Sequence, residues 1–537
     1  MKNTFRLSMT WLHTWTGLLL GWVLFAIFVT GTATYFKAEI TQWMQPELRR
    51  GDSPVDAAAV AWKSLEERAP ESTRWFVGLP DDRATATTAF WQPGTGGKRS
   101  GSATFDPVTG EVVTARESRG AEFFYRFHFQ LQLPHPWGRY LAGVAAMFMF
   151  VALISGVITH RQFFKEFFTF RPGRTSLRSF LDFHNVTAVL ALPFYFMISY
   201  SALVIFMAMY MPWGREVLTD AQARAAGAVR ERGGQSGAEK KAGGVEKKPW
   251  VSPAPVGPML EEVARRWGRE HPTVKRMDVT ERGTEKMVVT FTRAEAGSVS
   301  ITQREQLRFN GATGELLPEE KKMGGVATEV HGTLYGLHMA RFAGPAMRWT
   351  FFLMGLFGSA LVATGLVMWT IKRRAKYAKA GRFSFGHGLV ERLNIAGIAG
   401  LFVAMGAIFW ANRLLPVGMD ARGDWEVKAF LYTWAAMLAH AVVRPVLAAW
   451  REQLWAGAVL FTALPVVDAV TGPFLARAWA DGNAAYLGFH VTVLATGAML
   501  AVVAWKVSRI GAGRGRDGER KADAARERKS RPAEEAV

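Results

Sequence analysis

The sequence predicts a polytopic all-α membrane protein carrying small α+β modules between some of its helices. Three observations carry that prediction. Of 537 residues, 49% are hydrophobic, with 37 Phe and 20 Trp, and they are gathered into blocks. Each block is long enough to cross a bilayer, which takes about 20 apolar residues. Between the early blocks lie two long polar stretches whose alternation and turn residues suit strands instead.

Apolar runs fall at 15–36, 137–159, 185–210, 346–371, 393–415, 427–448, 454–473 and 484–506, about eight spans, the seventh the weakest. The first run could alternatively be a signal peptide, since Lys2 and Arg6 precede it and small residues surround Gly31-Thr32-Ala33. It is longer than a usual signal core and carries His13 at its edge, which favours a span. Lys and Arg beside the spans set the orientation. The connection with Arg161, Lys165, Arg171, Arg174 and Arg178 is expected in the cytoplasm, as are Lys372, Arg373, Arg374, Lys376 and Lys379 and the basic tail after Lys506. Both termini are then cytoplasmic. Juxtamembrane cations facing anionic lipid explain much of the net charge of +20, so no nucleic-acid partner is needed.

The chain divides into a first span (1–37), a polar module (38–126), two spans joined by a cytoplasmic loop (127–210), a linker with a second module (211–330) and a fourth span (331–380). A four-span extension (387–510) and a charged tail expected to be disordered (511–537) follow. In the modules, Asp56–Arg68 and Pro258–Arg269 read as amphipathic helices, and Thr88–Trp91 and Met287–Thr292 as strands. Both close on related turn phrases, Phe105-Asp106-Pro107-Val108-Thr109-Gly110-Glu111 and Phe309-Asn310-Gly311-Ala312-Thr313-Gly314-Glu315. Ala221–Pro249, rich in Gly, Ala, Lys and Glu, reads as a mobile linker.

An internal repeat underlies this layout. His13 precedes Thr30-Gly31 by the same distance as His184 precedes Ser201-Ala202, and His128 stands to Ser155-Gly156 nearly as His338 stands to Thr364-Gly365. Residues 1–175 and 176–380 are thus two copies of helix, external module, helix, with the same polarity, packing about an axis along the membrane normal.

Histidine in a membrane is costly and is kept there for metal or haem ligation or for proton transfer. The repeat pairs His13 with His184 near the cytoplasm and His128 with His338 near the outer surface. Two imidazoles from different helices on opposite sides of an iron make a bis-histidine haem site, so two haems b are expected. Gly17 and Gly21, four and eight residues beyond His13, would clear space for a macrocycle; Ala188 and Leu192 would do so on the partner helix. His160 and His331 are rival ligands; His160 has Trp369 as its repeat counterpart, and His331 lies two turns before His338 on the same face. His135 would cap the second span, His271 falls in a module, His387 at the cytoplasmic face, and His440 and His490 read as packing residues of the extension. The bland alternative makes all of these interfacial anchors. Without cysteine, disulfides, thiolate ligands and covalent haem attachment are excluded. No nicotinamide, flavin or ATP motif occurs, so electrons would come from a cytoplasmic reductase, reduced flavin or membrane quinol.

The runs Leu12-His13 through Gly31, Phe127-His128, Ser155-Gly156 through His160, Leu181-Asp182-Phe183-His184-Asn185, Leu337-His338 through Phe342 and Thr364-Gly365 to Trp369 resemble the PepSY-associated transmembrane family of bacterial inner-membrane proteins. The polar stretches look like its PepSY domains, inserted between the first and second and the third and fourth spans. The resemblance covers about residues 1–380 and implies a haem-containing reductase of periplasmic ferric siderophores or other ferric chelates in iron acquisition. Reduction would release iron, because Fe(II) is held far less well than Fe(III) by hard oxygen ligands. Two other readings stay open: a membrane anchor whose modules bind or restrain periplasmic proteins, and an iron or chelate transporter using Asp468 and Pro465 of the extension.

Overall fold

A computed structural model describes residues 2–530 apart from 49–53, 82, 84–85, 94–99, 161–175, 212, 214–249, 269–273, 294–297, 304, 320–325, 380 and 382–383. The expected linker, the loop cations Arg161, Lys165, Arg171 and Arg174, and His271 lie outside the described residues.

The repeat unit begins with a bent pair, α1 (Lys2–Leu19) and α2 (Gly21–Thr34), turning by 64° at Leu20. A short helix α3 (Lys37–Met44) leads to the first module: α4 (Pro54–Arg68), β1 (Arg74–Gly78), β2 (Thr87–Gln92) and β3 (Gly101–Phe105). The chain returns through α5 (Glu122–Gln130) and α6 (Trp137–Thr159). The second unit repeats the plan with α7 (Ser176–Leu190), α8 (Leu192–Tyr210), α9 (Val256–Trp267), β4 (Val274–Thr280), β5 (Val288–Arg293), β6 (Gln306–Asn310), α10 (Val326–Met339) and α11 (Pro345–Lys379).

The two modules, each read from the sequence as a small α+β unit, are joined through their strands. They share one antiparallel sheet in the order β3-β2-β1-β4-β5-β6, joined where β1 meets β4 in the register Trp75↔Val279, Phe76↔Asp278, Val77↔Met277 and Gly78↔Arg276. Three strands expose two unsatisfied edges; pairing the two copies removes one edge from each. The inward side chains of every strand alternate into one core, with Trp75, Val77, Phe105, Met277, Phe291 and Phe309 packed with Leu65 of α4 and Val263 of α9. The two turn phrases fold alike. Asp106 Oδ1 accepts from the amides of Val108 and Thr109 (2.9 and 3.0 Å), and Asn310 Oδ1 from those of Ala312 and Thr313 (2.9 and 3.1 Å). Gly110 and Gly314 then take φ of 74° and 80°, a region costly for any side chain.

The extension comprises α12 (Phe385–Asn394), a π turn over Ile395–Ala399, α13 (Gly400–Leu414), α14 (Arg422–Val443), α15 (Val446–Thr462), α16 (Leu464–Thr471), α17 (Phe474–Ala480) and α18 (Ala484–Ser530). Five helices among the described residues are long and apolar enough to cross a membrane, and two bent pairs, α1–α2 and α15–α16, raise the number to as many as seven. The remaining expected span, the sixth at 427–448, corresponds to α14, whose first two turns carry Arg422, Asp424, Glu426 and Lys428. The last helix also continues to Ser530, through much of the tail expected to be disordered.

Buried charges weld the extension to the repeat unit. Arg413 donates to Asp468 (2.7 Å), to the Trp43 carbonyl (2.5 Å) and to Tyr486 (3.0 Å), and lies 3.8 Å from the centre of the Trp43 ring. Arg422 donates to Glu426 (2.7 Å) and to the Glu117 carbonyl (2.8 Å), while Ser118 donates to Glu426 (2.7 Å). Removing one partner of such a pair strands the other charge out of water. Asp468→Ala is expected to destabilise the protein by about 3–5 kcal/mol, read by thermal denaturation in detergent; an unchanged transition would contradict the network. In this cysteine-free chain, cysteines replacing Phe76 and Asp278 should cross-link on oxidation, because directly opposed strand residues lie within disulfide reach. Cysteines replacing Ser102 and Asp278, on strands separated by two others, should stay free by mass spectrometry of the digest.

Candidate functional site

The four repeat-related histidines meet in the two pairs the symmetry predicts. The rings of His13 on α1 and His184 on α7 have centroids 6.4 Å apart at 79°, and those of His128 on α5 and His338 on α10 are 6.0 Å apart at 39°. The second pair is the one nearer the sheet, since both its members line a cavity that also reaches Arg83, Thr88 and Lys275 of the modules.

Each ring is held by a Ser/Thr–Gly/Ala pair on a neighbouring helix, and the exchange is reciprocal. His13 Nδ1 lies 2.8 Å from the carbonyl of Ala152, three residues before Ser155, while His128 Nδ1 lies 2.8 Å from the carbonyl of Ile27, three before Thr30. In the second unit His184 Nδ1 is 3.1 Å from Thr364 Oγ1 and His338 Nδ1 is 2.9 Å from Ser201 Oγ. The carbonyls of Leu361 and Ile198, at the same three-residue offset, also accept from these rings. Every one of the four hydroxyls donates to its own helix, at 2.6–2.7 Å to the carbonyl four residues earlier.

This arrangement fixes the tautomer. A carbonyl can only accept, and a hydroxyl already spending its proton on its helix also accepts, so all four Nδ1 atoms carry the hydrogen. Each Nε2 is left with its lone pair, the form in which neutral imidazole binds a metal. Such outer hydrogen bonds set ring orientation and raise ligand basicity.

Small residues let the rings in. A Cβ on Gly31 would lie 2.4 Å from His128 Nδ1, one on Gly156 would lie 3.1 Å from His13 Cε1, and one on Gly365 would lie 3.4 Å from His184 Cε1. The glycines singled out from the sequence behave differently. Gly17 faces open space, but a Cβ on Gly21 would strike Leu366, so Gly21 serves contact between α2 and α11 and clears nothing beside His13. Ala188 and Leu192 pack in the apolar cluster between the units. That cluster, around Leu24, Ala145, Met149, Leu153, Tyr195 and Leu361, fills the interior of the helical unit.

The other histidines do not join the two ring pairs. His160 ends α6 in the neighbourhood of His184, and His331 lies against Tyr335, its ring centroid 6.4 Å away. His440 bonds Glu452 (2.9 Å), His490 approaches Asp468 (3.1 Å), and the buried His387 stacks on Trp369. His135 is exposed. Asp468, the residue on which a transport path would have relied, is consumed by Arg413 and Tyr486. Among the described residues no three His, Cys, Asp or Glu side chains converge as a metal site made by protein alone.

The sheet-side cavity measures about 1040 Å³ and runs from Leu24 and Phe28 up to the modules. Tyr125 and Tyr335 stand in its wall beside Arg341. Burial, with help from Tyr335 and Glu122 and against the pull of Arg341, pushes the Tyr125 phenol above its ordinary value, so it remains a neutral donor. Sequence reasoning gave no sign of this cavity, because its residues come from α2, α3, α5, α6, α8, α10, α11 and the sheet.

The sequence pattern of the family described as "PepSY-associated TM region" matches residues 10–372. This chain belongs to that family. The PepSY-associated region therefore includes both histidine pairs and the whole sheet, and it stops within α11, so the extension lies beyond it. A curated relative, the uncharacterised protein PA4219 of Pseudomonas aeruginosa (strain PAO1), is 30% identical over 226 residues, covering 40% of this chain. The chain spans only about half of that relative, 54% of its length.

Gly31→Ala should force the His128 ring aside and destabilise the protein by about 1–3 kcal/mol, as overpacking does. Gly17→Ala, which meets nothing, should be close to neutral; thermal denaturation of the two variants side by side checks the contrast.

Proposed function

We infer that this protein is a di-haem reductase of the bacterial inner membrane, passing electrons across the bilayer to periplasmic ferric iron, free or held by a siderophore, during iron acquisition. The observation that carries the reading is the close approach of His13 to His184 and of His128 to His338, each ring with Nδ1 already bonded. An imidazole nitrogen sits about 2 Å from a bound metal and its ring centre roughly 1 Å farther, so two imidazoles that would hold one metal between them have centroids about 6 Å apart. Separations of 6.0 and 6.4 Å fit that donor set. Two imidazoles alone cannot complete an iron's coordination sphere, so the iron would have to come with donors of its own, as haem iron does. Haem so held would supply one-electron transfer.

The chain's own residues do the rest. The helix turns that carry Thr30, Ser155, Ser201 and Thr364 hold each ring in the Nδ1–H tautomer, which leaves Nε2 as the nitrogen able to bind a metal. The apolar cluster about Leu153 and Tyr195 keeps water from the space between the units. The sheet-side cavity admits an acceptor to the His128–His338 pair. Lys372, Arg373 and Arg374, at the far end of α11 from the sheet, support a cytoplasmic location for the His13–His184 end, with both termini inside. The electron donor there would be a cytoplasmic reductase or a membrane quinol. A purely anchoring protein gives the matched approach of the two ring pairs no role.

An absorption spectrum of the purified protein, oxidised and then dithionite-reduced, should show sharp reduced bands and about two non-covalent haems per chain. His184→Ala should lose about half of that haem and His440→Ala none; full haem in the His184 variant would sink the assigned pair.

A further inference from the structure

The wall of the sheet-side cavity is strongly one-signed. Lys37, Arg83, Arg139, Lys275, Arg341 and Arg348 line it, against Glu122 as the carboxylate among its described lining residues. Carboxylates behind the wall answer some of these cations. Glu39 takes Arg83 (2.9 and 2.7 Å) and Arg348 (3.5 Å), Asp81 approaches Lys275 (4.0 Å), and Glu122 takes Lys37. Among the described residues Arg139 has no carboxylate: it donates to Gln130 Oε1 (3.3 Å) and lies over the Phe129 ring. Arg341, exposed at the rim, has none either, and Tyr125 and Tyr335 stand beside it.

A cleft with apolar walls and a surplus of one charge concentrates ions of the other. The planar fork of arginine matches carboxylate and similar oxyanions with two parallel hydrogen bonds. At 1040 Å³ the cavity lies at the upper limit of single-ligand pockets, which run about 300–1,000 Å³. That leaves room for a second molecule above whatever occupies the His128–His338 pair.

We propose that this cavity binds a small polyanionic ferric chelate, one whose free carboxylates or comparable oxyanions pair with Arg139 and Arg341. The proposal rests on the reductase reading and narrows its substrate to chelates of net negative charge. Carboxylates at these arginines could come from two sources, the soluble chelate or the propionates of the haem itself, and the test separates them.

Gallium(III) complexes mimic ferric ones without accepting an electron, so binding is read apart from turnover. Full-length protein in lipid nanodiscs, with haem per chain measured, is titrated calorimetrically with gallium citrate, an anion, and with gallium desferrioxamine, a cation. The citrate complex should bind about tenfold or more tightly than the cation, the worth of one charge-assisted contact, and weaken steeply as NaCl rises from about 0.05 to 0.5 M. Arg139→Gln and Arg341→Gln should each weaken citrate binding about tenfold with haem content unchanged, and Arg265→Gln, on an exposed face of α9, should do nothing. Equal affinity for the two complexes, or full affinity in both arginine variants, would overturn the proposal. So would loss of one haem from either variant, which would assign the arginines to propionates. A haem-free protein that still binds gallium citrate would remove the reductase reading and keep the anion site; a haem-loaded one that binds neither complex would do the opposite.

Discussion

The helical unit depends on one constraint: an imidazole N–H placed among apolar helices must find an acceptor. Leaving such a donor unpaired costs about 1–3 kcal/mol, and four are present. The answer is the same each time, a helix turn ending in Ser/Thr followed by Gly or Ala, whose hydroxyl is spent on its own backbone while its carbonyl face is left bare by the small residue. Because α1 supplies a histidine to α6, and α5, just before α6, supplies one to α2, neither arm of the unit can be oriented without the other. Packing, tautomer and ring direction are thus settled by one local device used four times.

Duplication turns these arms into opposed pairs. Two copies with the same polarity bring like to like, so histidines equivalent by sequence become partners in space. The same operation acts on the modules, where strands equivalent by sequence, β1 and β4, run antiparallel side by side. One symmetry therefore closes the sheet and faces the imidazoles, and the cavity lies where the two results meet.

Much of this was legible in the residues. The pairing of His13 with His184 and of His128 with His338 followed from spacing alone, as did the matched turns at Asp106 and Asn310. Three things were not. The Ser/Thr–Gly/Ala pairs were visible as repeats, but their crosswise use, each receiving the histidine of a different helix, is a fact of packing that no linear distance encodes. Fusion of the modules depends on strand edges, and a sequence pattern shows faces but not neighbours. Arg413, Arg422 and Glu426 look like ordinary flanking charges until α3 and residues 116–119 close over them. Asp468 is a case of the same kind: in the sequence it is an isolated acid in an apolar run, and its ion pair with Arg413 is a fact of packing.

The shared sheet has a consequence for how the chain is made. β1 is synthesised long before β4, and α6 and α8, two helices long and apolar enough to cross a membrane, come in between. Throughout that interval the first module presents its inner strand, with the backbone of Trp75, Phe76 and Val77, as an open edge. Maturation is therefore gated by delivery of the second module to the first, and a half-length product would carry an adhesive strand in place of a finished domain.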